Sequence, residues 1–175
     1  MYYQDEAGFN LLVSRQTTWA PIAQTPPLVA PTPCPNLSVS VAISETGDLF
    51  YEVRESASTS QAIVGFLTKL LEGKRQQLFL LWDSARIHTT KELQAFLTQL
   101  KEGRIHLAHT PKYAPATHAA EQVWNYVKNV QLANCVFKTI QDLKKAVTQA
   151  LEDLKKIPNS FNNYFIIQRW HSITN

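Results

Sequence analysis

The sequence predicts an α/β domain built on a mixed sheet, with antiparallel strands first, parallel strands after them, and helices on the flanks. Three observations predict it. Residues 37–53 alternate as a hairpin, residues 78–82 form a continuous apolar run between two amphipathic helices, and another strand follows the second helix at 104–110. A strand, a helix and a strand in that order need a crossover, and therefore pair in parallel. At 175 residues and 45% hydrophobic content the chain suits one domain with one substantial core.

The elements follow in order. MYYQDEAGF (1–9) is a short aromatic strand whose apolar character Asp5 and Glu6 interrupt before Gly8. Six of the nine prolines fall in residues 15–36, so this stretch reads as a loop-rich excursion or hairpin arm with at most a short strand around TTWAPI. LSVSVAIS (37–44), the turn ETGD (45–48) and LFYEV (49–53) make the hairpin. TSQAIVGFLTKLLEGK (59–74) repeats Ile63, Phe66, Leu67, Leu70 and Leu71 at helical spacing, with Gly73 as its stop. After the strand 78–82, TTKELQAFLTQLKEG (89–103) opens with Thr89 and Glu92 spaced as a capping box, and RIHLAHT (104–110) is the next strand. AAEQVWNYVKNV (119–130) and TIQDLKKAVTQALEDLKKI (139–157) are helical, the latter opening on a Thr139/Asp142 box and burying Ile140, Leu143, Val147, Leu151 and Leu154. Residues 1–157 form the domain and 158–175 a C-terminal tail.

Composition excludes several classes. No apolar run approaches the ~20 residues that cross a bilayer, and no basic-then-apolar leader opens the chain, so an intracellular, cytoplasmic protein is expected. Cys34 and Cys135 are far apart and outside any C-x-x-C pattern, which points to neither a disulfide framework nor a zinc site. The net charge of +3 is uneven: residues 101–175 carry 10 Lys and Arg against 5 Asp and Glu, making that part the face toward a polyanion or, equally, a solvated helical surface.

In LFLLWDSARIHTT (78–90) a buried strand runs straight into Asp83. A carboxylate leaving water costs several kcal/mol unless it is paired or the strand is leaving the core. Ligands gather beyond the carboxyl ends of strands in open sheets, and Asp83 sits at such an end. With the first strand next to this one, Asp5 and Asp83 would repel, and a hard divalent cation would relieve them. Glu121, in the first turn of the helix after the 104–110 strand, completes the set. Singly, each acid has a plainer role: Asp83 as a turn cap, Asp5 as a loop acid, Glu121 as compensation of the helix dipole.

DEAGF (5–9), TWAPIAQTP (18–26), LLWDSARIHTT (80–90) and PKYAPATHAAEQVWNYVK (111–128) resemble, in order, the motif blocks of mariner-like bacterial insertion-sequence transposases of the DDE superfamily. The 38 positions between Asp83 and Glu121 resemble that family's short second interval. The resemblance implies a ribonuclease H-like fold with three antiparallel strands followed by two parallel ones. It implies two Mg²⁺ or Mn²⁺ ions held by Asp5, Asp83 and Glu121 as catalytic acids, with cleavage of DNA at the element's ends and strand transfer into a TA target. Lys112, Lys128 and lysines of the last helix would track phosphates, and His88 matches a motif histidine placed near nucleic acid or making a loop hydrogen bond. DNA is the implied partner, with a homodimer for synapsis.

The family usually has Asn-Pro where this chain has His118-Ala119, Asn where it has Ser84, and Gly where it has Ala23. Losing that capping oxygen and pre-set φ is expected to cost about 1 kcal/mol of local order. Four residues precede Asp5, so the family's helix-turn-helix region is expected to be absent and supplied, if at all, by a separate DNA-binding chain. Two other functions compete: a catalytically weak remnant that only binds DNA or a transposase, and a ribonuclease H or exonuclease on the same fold.

Overall fold

The computed structural model describes residues 1–12, 36–72, 76–83, 85–100, 103–110 and 119–157, with positions 17, 19–22, 24, 27 and 74 between them. The strands are β1 (Tyr2–Phe9), β2 (Leu37–Ser44), β3 (Leu49–Arg54), β4 (Leu78–Trp82) and β5 (Ile105–His109); the α-helices are α1 (Ser60–Glu72), α2 (Lys91–Gln99), α3 (Ala119–Trp124) and α4 (Ile140–Lys156). They form one sheet in the order β3-β2-β1-β4-β5. β3, β2 and β1 pair antiparallel, while β1 with β4 and β4 with β5 pair parallel.

Strand alternation divides the molecule into two apolar layers. On one face Tyr3, Ala7 and Phe9 of β1 and Val39, Val41 and Ile43 of β2 pack against Val123 of α3, Val127 just beyond it, and Leu143, Val147 and Leu151 of α4. On the other, Ala42 and the inward residues Leu78, Leu80 and Trp82 of β4 meet Ile63, Phe66, Leu67 and Leu70 of α1 and Leu93 of α2. All of β2 is buried. Its alternation is therefore large against small rather than inside against outside, and the serines at 38, 40 and 44 are the small side. The ETGD turn carries Gly47 at φ 82°, the left-handed conformation glycine adopts without steric cost.

Two elements differ from the sequence expectation. The second helix does not open on a Thr89/Glu92 box: Arg86–Thr89 form a 3₁₀ turn, and Thr90 caps α2 by accepting from the Leu93 amide. That places Glu92 at the second helical position, where its side chain suits the dipole but cannot complete a capping box. The expected helix 119–130 is α-helical only to Trp124 and continues as a π-helical segment over Asn125–Gln131. Thr139 caps α4 as expected, accepting from the Asp142 amide at 3.1 Å and donating to its carboxylate at 2.7 Å. No helix among the described residues is long and apolar enough to cross a membrane. Gly73, Ser84, Lys112, His118, Ala23, Cys34 and the tail 158–175 lie outside the described residues.

Candidate active site

β1 and β4 pair through Tyr2 with Leu80 and Tyr3 with Leu81, and no further. Carried two residues on, this register sets Asp5 level with Asp83, where the strands have parted while β4 stays joined to β5 through the Thr110 amide and the Trp82 carbonyl at 2.9 Å. Alternation puts Asp5 on the same face as Tyr3 and Ala7, the face that α3 covers. Glu121, in the first turn of α3, lines the same open cavity of about 690 Å³ as Asp5, together with Gly8, Gln122, Asn125 and Lys128. Asp5 and Glu121 thus meet in one space, and Asp83 stands beside it at the parted strand ends. Among the described residues, no three His, Cys, Asp or Glu side chains are grouped closely enough to hold a metal ion.

Each acid is held differently. Asp5 is partly buried; its Oδ2 accepts from Trp124 Nε1 at 2.8 Å and its Oδ1 from the Glu6 amide at 2.8 Å. Burial pushes its carboxyl up to about 6, the Trp124 and backbone hydrogen bonds pull the other way, and the charges of Glu6 and Asp83 add to the rise. Asp83 Oδ1 accepts from the Ala85 amide at 2.9 Å and lies 2.9 Å from His88 Nδ1. The strand-end aspartate therefore caps its own turn and also faces Asp5.

Of the residues expected to meet nucleic acid, Lys128 is in the cavity. Its ammonium sits 4.9 Å from the Phe9 ring centre, where burial lowers its pKa against the opposing pull of Asp5 and Glu121. His88 is only 1% exposed and stacks on Trp82 at 4.5 Å and 6°. Its Nε2 lies 3.2 Å from Glu6 Oε2 and its Nδ1 3.1 Å from the Asp83 carbonyl; burial lowers its pKa, but Glu6 and Asp83 outweigh that and hold it above the ordinary value. On α4, Lys144, Lys155 and Lys156 pair with Glu55, Glu152 and Asp153 at 2.9, 3.1 and 3.0 Å. These exposed pairs are weak and leave the lysines free to exchange partners.

Trp124 and Glu6 escaped the sequence reading. Trp124 lies three positions after Glu121 on one helix face, a spacing that would have marked it. Glu6 lies one position after Asp5, so strand alternation sends it through the sheet to the opposite face.

A family model described as DDE superfamily endonuclease matches residues 1–144. No curated protein matches the sequence. Among solved structures, the Mos1 mariner paired-end complex with Mn aligns at a TM-score of 0.74 and 16% identity, covering 97% of this chain and 53% of that one. The catalytic domain of Mos1 mariner transposase aligns at 0.55 and 14% identity, covering 89% and 76%. The simian T-cell lymphotropic virus intasome in complex with PP2A regulatory subunit B56 gamma aligns at 0.55 and 13%, covering 90% and 54%. The chain spans about half the length of the Mos1 chains in the paired-end complexes. The observed architecture is the ribonuclease H-like fold expected of it.

Proposed function

The chain belongs to the DDE superfamily endonucleases, and from that premise we propose that it is the catalytic domain of a transposase, cutting DNA at transposon ends and joining those ends to a target. The observation that carries this is the meeting of Asp5 and Glu121 in one cavity, with Asp83 level with Asp5 where β1 and β4 part. The Mos1 transposase to which this chain is similar forms a paired-end complex with its left transposon end, and transposon-end DNA is proposed here as the substrate of this chain.

The donor set suits a hard divalent cation in kind: three carboxylates on two neighbouring strand ends and one helix start, with Asp5 destabilised as an anion by burial and by the like charges of Glu6 and Asp83. Asp5, Asp83 and Glu121 would hold Mg²⁺ or Mn²⁺, two ions in the reading carried from the family. When bound, such ions supply Lewis-acid activation of the attacking oxygen and stabilisation of the leaving one. The chain's own residues do the rest. Trp124 orients Asp5, and the Ala85 amide and His88 orient Asp83. Lys128 balances Asp5 and Glu121 and is positioned to meet a phosphate entering the cavity. Such an enzyme would act in the cytoplasm of a bacterial cell, with a second copy bringing the paired ends together.

The test is Mn²⁺-dependent nicking of supercoiled plasmid by the purified chain beside Asp83→Asn. Nicking by the parent alone supports the reading. Nicking by neither sinks the enzymatic claim, and nicking by both shows that the activity lies elsewhere.

A further inference from the structure

On the face of the sheet opposite Asp5, the buried side chains of Gln4, Glu6 and His88 form a polar chain that leads to Asp83. Gln4, fully buried, donates through Nε2 to Glu6 Oε1; Glu6 Oε2 meets His88 Nε2 at 3.2 Å; and His88 Nδ1 meets Asp83 at 3.1 Å from its carbonyl and 2.9 Å from its Oδ1. The Glu6 side chain is 10% exposed and that of His88 0%. Glu6 and Asp83 each present oxygen to the ring, one at either nitrogen. Its plane is fixed by the parallel Trp82 ring beneath it.

Such a network is expensive to keep. Gln4 Oε1, Trp82 Nε1 and Ser40 Oγ, the last directly across β1–β2 from Glu6, are buried without hydrogen-bond partners. Each such atom costs on the order of 1–3 kcal/mol, and an apolar layer would pack here without that cost. A gain in fold stability does not explain the arrangement; the point at which it ends does. It ends on Asp83, whose side chain is half exposed and, among the described residues, also accepts from the Ala85 amide.

We propose that Glu6 and His88 are a positioning pair for Asp83: the Glu6 carboxylate, fixed by Gln4, holds the His88 ring, and the ring holds the Asp83 carboxylate in the rotamer that faces Asp5. Both act through Asp83: the Glu6 side chain meets the ring, although Glu6 also lines the cavity beside Asp5. The pair reaches through the sheet from behind, as outer partners of metal-binding carboxylates and imidazoles do, where their loss commonly weakens metal affinity 10–100-fold. The inference rests on the metal-dependent reading of Asp5, Asp83 and Glu121.

The test is calorimetric titration of the full chain with Mn²⁺, with plasmid nicking run in parallel. Glu6→Gln preserves shape and removes the charge; the Mn²⁺ dissociation constant should rise about 10-fold or more. In a His88→Ala background the same change should add nothing, because Glu6 acts only through the ring. His88→Asn restores a donor where Nδ1 stood and should recover most of the affinity that His88→Ala loses. A merely structural role would not be rescued, since Asn leaves the Trp82 face and Glu6 as bare as Ala does. Unchanged affinity in Glu6→Gln, an equal loss in both backgrounds, or no Mn²⁺ binding by the parent overturns the proposal. Should Glu6→Gln fail to fold, the comparison of His88→Asn with His88→Ala decides: recovery upholds the pair and parity overturns it. A parent that binds Mn²⁺ in this Glu6-dependent way yet nicks no DNA upholds the pair and sinks the transposase reading. A parent that nicks while Glu6→Gln binds Mn²⁺ unchanged does the reverse.

Discussion

Asp5 meets opposed demands, because the burial that confines its carboxylate also disfavours its charge. Its folded pKa of about 6 lies above the unfolded carboxyl value, so its contribution to stability is complete at low pH and is lost as pH rises from about 4 through about 6. Without metal, melts of the parent in EDTA should therefore decline over that window relative to Asp5→Asn, with a difference of up to about 3 kcal/mol by neutral pH. Asn still accepts from Trp124, so the variant should be the more stable protein and catalytically dead; a variant less stable than the parent at pH 8 would contradict this account of Asp5. Trp124→Phe removes the donor at 2.8 Å and leaves most of the packing. It should raise the Mn²⁺ concentration for half-maximal nicking about 10-fold, the scale of losing an outer partner of a ligand. Lys128→Gln should weaken DNA binding and lower the slope of log affinity against log salt by about 1, as expected for one phosphate contact; an unchanged slope would mean that Lys128 only balances the acids.

At the scale of elements, amphipathic helices and strands were legible and their ends less so. The stripe Ile63, Phe66, Leu67, Leu70 and Leu71 is buried on α1 as its spacing requires, and Thr139 caps α4 at the predicted residue. The start of α2 was ambiguous because Thr89 and Thr90 are adjacent and either can cap. Burial of His88 against Trp82 sets the preceding residues in a 3₁₀ turn and passes the role to Thr90. The π-helical turns after Trp124 have no signature in residue periodicity, since the same apolar spacing serves either winding. They matter nonetheless, because Asn125 and Lys128 on that segment line the cavity. The cap on α4 is remote from the cavity, so Thr139→Ala should cost about 1 kcal/mol in denaturant unfolding and leave nicking unchanged.

At the scale of the molecule, the sheet order follows from strand chemistry and connection length, and the site follows from the sheet order. The two antiparallel pairings place β2 between β3 and β1 and leave one side of β1 free, and β4 pairs with that side in parallel, carrying β5 beyond it through a crossover. The apolar-to-acid junction at Trp82 and Asp83 announced a strand end with a purpose. Of the partners of these acids, His88 was legible five positions after Asp83, whereas the contacts of Glu6 with His88 and of Trp124 with Asp5 form only in the folded sheet. The most direct measurement is an anomalous difference map from crystals of the chain grown with Mn²⁺. The account predicts density between Asp5 and Asp83 with Glu121 completing the ligands, each carboxylate oxygen at roughly 2.0–2.3 Å from a hard cation. A map with no peak there, or with its peaks held by other side chains, would contradict it.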